Sequence, residues 1–150
     1  RKDVVSLLQY YTTNRRNYWR ILTTMAQVLK YHQDPIVQHE AAFALGEFPY
    51  KNELERHVAV SCLVNAFKSN PSVVARHEAA EAAGELFSPT ASVSAAAHLA
   101  KMLRFGFEHP DVLRTAEESF SNLIEKLKKV KGYGDVVKTL EAWRNPSVQV

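Results

Sequence analysis

Apolar residues along the chain recur at helical spacing in one stretch after another, and no period-two alternation bounded by turn residues interrupts them. From Val37, the residues Ala41, Ala44, Leu45 and Phe48 fall on one stripe, and Ala79, Ala82, Ala83 and Leu86 repeat it further on. Between and around these lie amphipathic stretches of helix length: about 53–68, carrying Leu54, Val58, Val60, Leu63, Val64 and Phe67, and about 90–105, carrying Val93, Ala97, Leu99, Ala100 and Leu103. Upstream, Tyr18 through Leu29 predicts another helix, preceded by a shorter amphipathic run near 3–11; downstream, 110–130 and 135–143 complete the set. The expectation is an all-α chain of about seven or eight helices without a sheet.

The stripes belong to a repeat. Asp34-Pro35-Ile36-Val37-Gln38-His39-Glu40-Ala41-Ala42-Phe43-Ala44-Leu45-Gly46-Glu47 recurs as Asn70-Pro71-Ser72-Val73-Val74-Ala75-Arg76-His77-Glu78-Ala79-Ala80-Glu81-Ala82-Ala83-Gly84-Glu85, with two extra residues after the proline. A weaker copy starts at His109-Pro110, and Asn145-Pro146 looks like the start of an unfinished one. The prolines at 35, 71, 110 and 146 are 36, 39 and 36 residues apart, a period suited to two antiparallel helices with their turns. Asp34 and Asn70 are expected N-caps, with Pro35 and Pro71 at the first helical position, where a missing amide costs nothing. The fold expected is a helical-hairpin solenoid spanning 1–150 as one domain, with repeats starting near 34, 70 and 109 and a partial one near 145.

Composition narrows the function. Lys+Arg 19 against Asp+Glu 16 is a mild, mixed charge, not a nucleic-acid footprint, and no apolar run reaches the roughly 18–20 residues of a membrane span. Cys62 is the single cysteine, so a disulfide framework or a thiolate-rich metal site is excluded and a reducing, cytoplasmic setting is expected. The Arg1-Lys2-Asp3-Val4 start lacks an initiator Met, as a piece of a longer protein would. No nucleophile elbow, phosphate-cradling glycine loop or dinucleotide fingerprint occurs, which disfavours hydrolase, kinase and nicotinamide chemistry.

The duplicated His-Glu pair is the candidate chemistry. At about 100° per residue from Ile36, the apolar stripe centres near about 120° while His39 falls at about 300°, so His39 points away from the stripe, with Glu40 on its flank. His77 and Glu78 take the same bearings in the second copy. Equivalent helices of a solenoid stack roughly 10 Å apart. That spacing allows imidazoles and a carboxylate from these equivalent positions to converge on one cation between the helices; the alternative is an exposed polar pair copied along with the repeat surface. Two imidazoles and one carboxylate are the facial set of non-haem Fe(II), and zinc accepts the same ligands. Glu81 and Glu118 lie close to the histidine bearing on their helices and are candidate contacts behind the ligands or to a substrate amine.

These segments resemble the HEAT-like repeats shared by phycobilin lyases and deoxyhypusine hydroxylase, and the paired His-Glu is similar to the hydroxylase in particular. The resemblance covers roughly residues 20–125. It implies an iron-dependent monooxygenase in which His39, His77 and Glu78 ligate iron, Glu40 stands at the substrate side as the catalytic carboxylate or completes the centre, and a protein or amine-bearing substrate lies on the concave face. The third copy, with Arg114-Thr115 in the motif slot, resembles the ligand-free repeat that follows each pair. The hydroxylase carries four such motifs around a di-iron centre, and this chain carries two. A homodimer or a longer repeat chain would restore the number.

The competing expectation is a non-catalytic repeat scaffold that binds a protein or a tetrapyrrole-bearing subunit, using surface residues such as Arg76, Glu81 and Arg114. His32, His57, His98 and His109 read as ordinary surface or turn histidines. Tyr10, Tyr11, Tyr18 and Trp19 read as a capping core or dimer contact. Arg15-Arg16 and Lys126-Lys128-Lys129-Lys131 read as solvated charge.

Overall fold

The computed structural model describes residues 15–145, with side chains from Trp19 onward. The amphipathic run near 3–11, Tyr10, Tyr11 and the side chains of Arg15, Arg16 and Tyr18 lie outside the described residues, as does the chain from Pro146 on. Seven helices are described: α1 (Arg15–Tyr31), α2 (Pro35–Glu47), α3 (Glu53–Ser69), α4 (Val73–Glu85), α5 (Pro89–Phe105), α6 (Pro110–Lys128) and α7 (Gly134–Arg144). Among the described residues there is no strand. Within the described residues, each expected helix forms within a few residues of its expected bounds.

The helices pair as hairpins α1/α2, α3/α4 and α5/α6, with α7 following. One layer is the series α2, α4, α6; the other is α1, α3, α5, α7. Local chemistry sets the starts. Asp34 Oδ1 accepts the Ile36 amide at 2.9 Å ahead of Pro35, and Asn52 Oδ1 accepts the Glu55 amide at 2.9 Å. His109 Nδ1 accepts the Asp111 amide at 3.1 Å ahead of Pro110. Helix α5 stops where Gly106 turns left-handed at φ 66°, a conformation that side chains resist.

One start differs from expectation. Asn70 does not cap α4 and Pro71 is not in it: the cap is Ser72, whose hydroxyl accepts the Ala75 amide at 3.3 Å, and the helix begins at Val73. The Asn70 side chain is used elsewhere. Its Nδ2 donates to the Leu29 carbonyl at the end of α1 at 3.2 Å, and its Oδ1 accepts the Ser72 amide at 2.8 Å. The two extra residues after Pro71 therefore lengthen the turn, not the helix. As a result His39 and His77 are each the fifth residue of a 13-residue helix.

The layer α2–α4–α6 packs unusually closely because small residues face one another. A Cβ on Gly46 of α2 would lie 2.9 Å from the Ala82 Cβ of α4, and one on Gly84 of α4 would lie 2.5 Å from the Ser119 Cβ of α6. Each glycine is the twelfth residue of its helix, and each residue it meets is the tenth of the next. Ser119 also ties the second seam by donating its hydroxyl to the Ala80 carbonyl at 2.7 Å. Larger side chains fill the space between layers, with Leu45, Leu63, Phe67, Leu99, Phe120 and Leu123 almost fully buried.

Candidate metal centre

Helix α4 lies between α2 and α6 and against α3, so it is buried on several sides. Helix α2 likewise buries Gln38 and Ala42 besides its predicted stripe, because α1 and α4 cover it from two directions. His39 consequently does not face open solvent: its side chain is only 20% exposed, held in the α2/α4 seam that Gly46 keeps narrow. There its Nε2 lies 3.2 Å from Oε2 of Glu78, which is itself 6% exposed. The other ring nitrogen, Nδ1, lies 3.0 Å from Oε1 of Glu40, which is 44% exposed at the rim. Both ring nitrogens of His39 therefore face carboxylates, and a neutral imidazole has only one N–H to give.

His77 stands beside this pair. Donor atoms of His77, Glu78 and Glu81 all lie within 4.8 Å of one another, the group of this kind found among the described residues. His77 Nδ1 is buried and makes no hydrogen bond, which costs about 1–3 kcal/mol in a protein interior unless a ligand takes up the lone pair or the N–H. Imidazole with carboxylate oxygen is a donor set that iron and zinc accept, and on this observation the residues fit such an ion.

A cavity of about 140 Å³ opens onto these groups, lined by Phe43, Gly46, Glu47, Glu78, Glu81, Ala82 and Glu85. Its walls are acidic. Burial, followed by the nearby Glu81 and Glu47 carboxylates, pushes the Glu85 carboxyl above the ordinary range. Lys126 holds the end of α4, its Nζ donating to the carbonyls of Gly84 and Glu85 at 3.2 and 2.9 Å, where a cation suits the helix C-terminus.

The structure thus groups His77, Glu78 and Glu81, and sets His39 against Glu78 with Glu40 at the rim. Glu118 is different: it is exposed on α6 and outside the group whose donors lie within 4.8 Å. Its helix carries Arg114 and Thr115 at the fifth and sixth positions, where α2 and α4 carry His-Glu. Glu81 had a readable signal beyond its bearing, since His77-Glu78-Ala79-Ala80-Glu81 places a second carboxylate four residues after the histidine, on the same helix face. Of the remaining histidines, His32 accepts the Asp34 amide and His109 caps α6, while His98 is held below its ordinary pKa by burial and by Lys68 and Lys101. Cys62 is partly buried, and that burial pushes its thiol up, away from nucleophilic use. Arg76, expected on a free surface, instead forms a two-point pair with Glu108 of the α5–α6 turn at 2.9 and 2.8 Å.

Stacked antiparallel helix pairs with this periodicity define an α-helical repeat protein. The family profile for HEAT repeats matches residues 22–121, two thirds of the chain, and the chain belongs to that family. Comparison with curated proteins and with solved structures returned no match. No helix among the described residues is long and apolar enough to cross a membrane.

Proposed function

We propose that this HEAT-repeat chain binds a divalent transition metal in the α2/α4 seam and acts as an iron-dependent hydroxylase. The observation that carries the reading is the contact of His39 with the buried Glu78 across the seam at 3.2 Å, beside a His77 whose buried ring nitrogen has no hydrogen-bond partner. His39, His77 and Glu78 are the residues to hold the ion; Glu40 orients His39 from the rim. The similarity of the two His-Glu pairs to deoxyhypusine hydroxylase favours iron, and the same donors suit zinc. Non-haem iron bound there supplies oxidative chemistry with dioxygen. The acidic cavity at Glu47, Glu81 and Glu85 supports an amine-bearing substrate, and a homodimer in the cytoplasm accounts for a chain with two motifs in place of four.

Metal analysis of protein purified without oxygen tests this. Iron near one per chain, lost in the His39→Ala/His77→Ala variant while the helical circular-dichroism signal stays, is the expected result. Wild-type protein that holds neither iron nor zinc after loading overturns it.

A second reading rests on the family and on a specific surface. Ile36, Val37 and Val74, at the starts of α2 and α4, are exposed apolar residues one turn from the histidines. They suit a scaffold that docks a protein along this layer. Partner capture that survives loss of both His-Glu pairs would favour it over the metal reading.

A further inference from the structure

The two His-Glu copies are not equivalent, and the difference lies in the ninth residue of each helix. In α4 that residue is Glu81; in α2 it is Phe43. A carboxylate four residues beyond a histidine shares its helix face, so α4 offers three oxygen- or nitrogen-bearing side chains from one helix and α2 offers two. The geometry follows the sequence. Donors of His77, Glu78 and Glu81 lie within 4.8 Å of one another, and His39 is outside that group, its Nε2 directed at the Glu78 carboxylate.

We infer that the metal is held by α4 alone, through His77, Glu78 and Glu81, and that His39 is a positioning residue that fixes Glu78 from the neighbouring helix. This rests on the metal-binding reading above and changes its ligand set. Three features support it. Bonds of about 2.0–2.2 Å place ligand atoms up to roughly 4 Å apart, within a small side-chain adjustment of the separations present. The orphaned Nδ1 of His77 gains a use either as a ligand or as the outer nitrogen. Glu78 and Glu81 both line the 140 Å³ cavity, which leaves the ion's remaining positions open to a small molecule, while neither histidine lines it. Ligating carboxylates are themselves hydrogen-bonded by outer residues in metal sites, which is the place His39 takes behind Glu78. A further consequence is that the site is complete within one chain and needs no second copy.

The test is equilibrium titration with Co(II), whose visible absorption reports ligand number, on the full chain and on four variants. Wild type is expected to bind one Co(II) per chain whether monomeric or dimeric. Glu81→Gln is expected to lose affinity by 100-fold or more with a changed spectrum. His39→Ala should weaken binding by about tenfold and keep the spectrum, since outer residues are worth about 10–100-fold. His39→Gln, which still donates to Glu78, should recover affinity to within threefold of wild type, which neither a ligand's loss nor general unfolding would allow. Glu118→Gln should bind as wild type. If Glu81→Gln binds normally while both His39 variants abolish binding, the inference is overturned and the two-histidine reading stands. If wild type binds no Co(II), Zn(II) or Fe(II), both fall.

Discussion

Gly84 is the glycine at which an added Cβ would come nearest to a neighbouring helix, and adding one methyl group there has a calculable cost. The new Cβ would lie 2.5 Å from both Cβ and Oγ of Ser119 and 2.7 Å from its Cα. Comfortable carbon contacts begin at about 3.5 Å, so α4 and α6 must part by about 1 Å. The backbone atom among the neighbours leaves no rotamer escape. Overpacking of this kind costs about 1–3 kcal/mol, and stretching the 2.7 Å bond from Ser119 to the Ala80 carbonyl adds about 1 kcal/mol. Alanine in place of glycine inside a helix returns about 1 kcal/mol. Gly84→Ala is therefore expected to destabilise by about 2 kcal/mol, a fall of about 4–8 °C in Tm for a chain of this size. Gly46→Ala is the control. Its Cβ would meet the Ala82 Cβ at 2.9 Å and Cα at 3.4 Å, a smaller conflict that the helix preference for alanine roughly offsets. Thermal and urea melts followed by circular dichroism compare the two. A Gly84→Ala protein as stable as wild type, or more so, would refute the packing argument, because helix preference alone would then be setting the outcome.

Three further outcomes follow from the same contacts. Gly46→Ala widens the seam where His39 meets Glu78, so it should weaken metal binding several-fold with little change in Tm, while Gly84→Ala should do the reverse; titration of both variants checks the contrast. The Glu108 carboxyl is pushed up by burial, but its hydrogen bonds from Arg76 and the His109 amide, with the charges of both residues, bring it below the ordinary range. A lowered folded-state pKa stabilises above the unfolded carboxylate value of about 4.3 and is lost as pH falls through the folded one. The Tm gap between wild type and Glu108→Gln should therefore be present at pH 7 and shrink toward about pH 3. His98 has the opposite sign. Burial, Lys68 and Lys101 lower its pKa, so the unfolded chain binds the proton more readily and the histidine destabilises below its ordinary value of about 6.5. Replacement by Gln should raise Tm at about pH 5 and leave it nearly unchanged at about pH 8; equal shifts at both would refute the assignment.

Helix positions were legible because period and punctuation agree. Pro35 and Pro110 each open a helix, and the alanine stripe of the two strong copies is buried as its spacing predicts. The cap of α4 was not legible. Asn70 and Ser72 are both good caps, and only the distance to the Leu29 carbonyl, a contact across 41 residues of chain, decides that Asn70 bridges and Ser72 caps. The site was half legible for a related reason. Bearings on an isolated helix place His39 opposite the apolar stripe, and that reads as solvent until a second helix covers it. The covering depends on Gly46, whose lack of a side chain lets α4 approach, and a single glycine does not announce its neighbour. The role of Arg76 was missed likewise, since its partner Glu108 stands in the next turn of the solenoid.

The same lock closes both seams of the α2–α4–α6 layer, a glycine at the twelfth position over a small residue at the tenth of the next helix. With backbone spacing held alike, the chemistry of each seam is decided by the fifth, sixth and ninth residues. At α2 and α4 these are His39, Glu40, Phe43 and His77, Glu78, Glu81; at α6 they are Arg114, Thr115 and Glu118. Arg114 pairs with Asp111 on its own helix at 2.9 Å and cannot ligate a cation, and Thr115 donates back to the Asp111 carbonyl at 3.1 Å. The second seam therefore keeps the glycine lock and lacks the donors. That separation of scaffold from donors explains how a repeat whose copies share a backbone confines its candidate metal chemistry to one seam, and why replacing Glu81 is the substitution that tests the site without disturbing the stack.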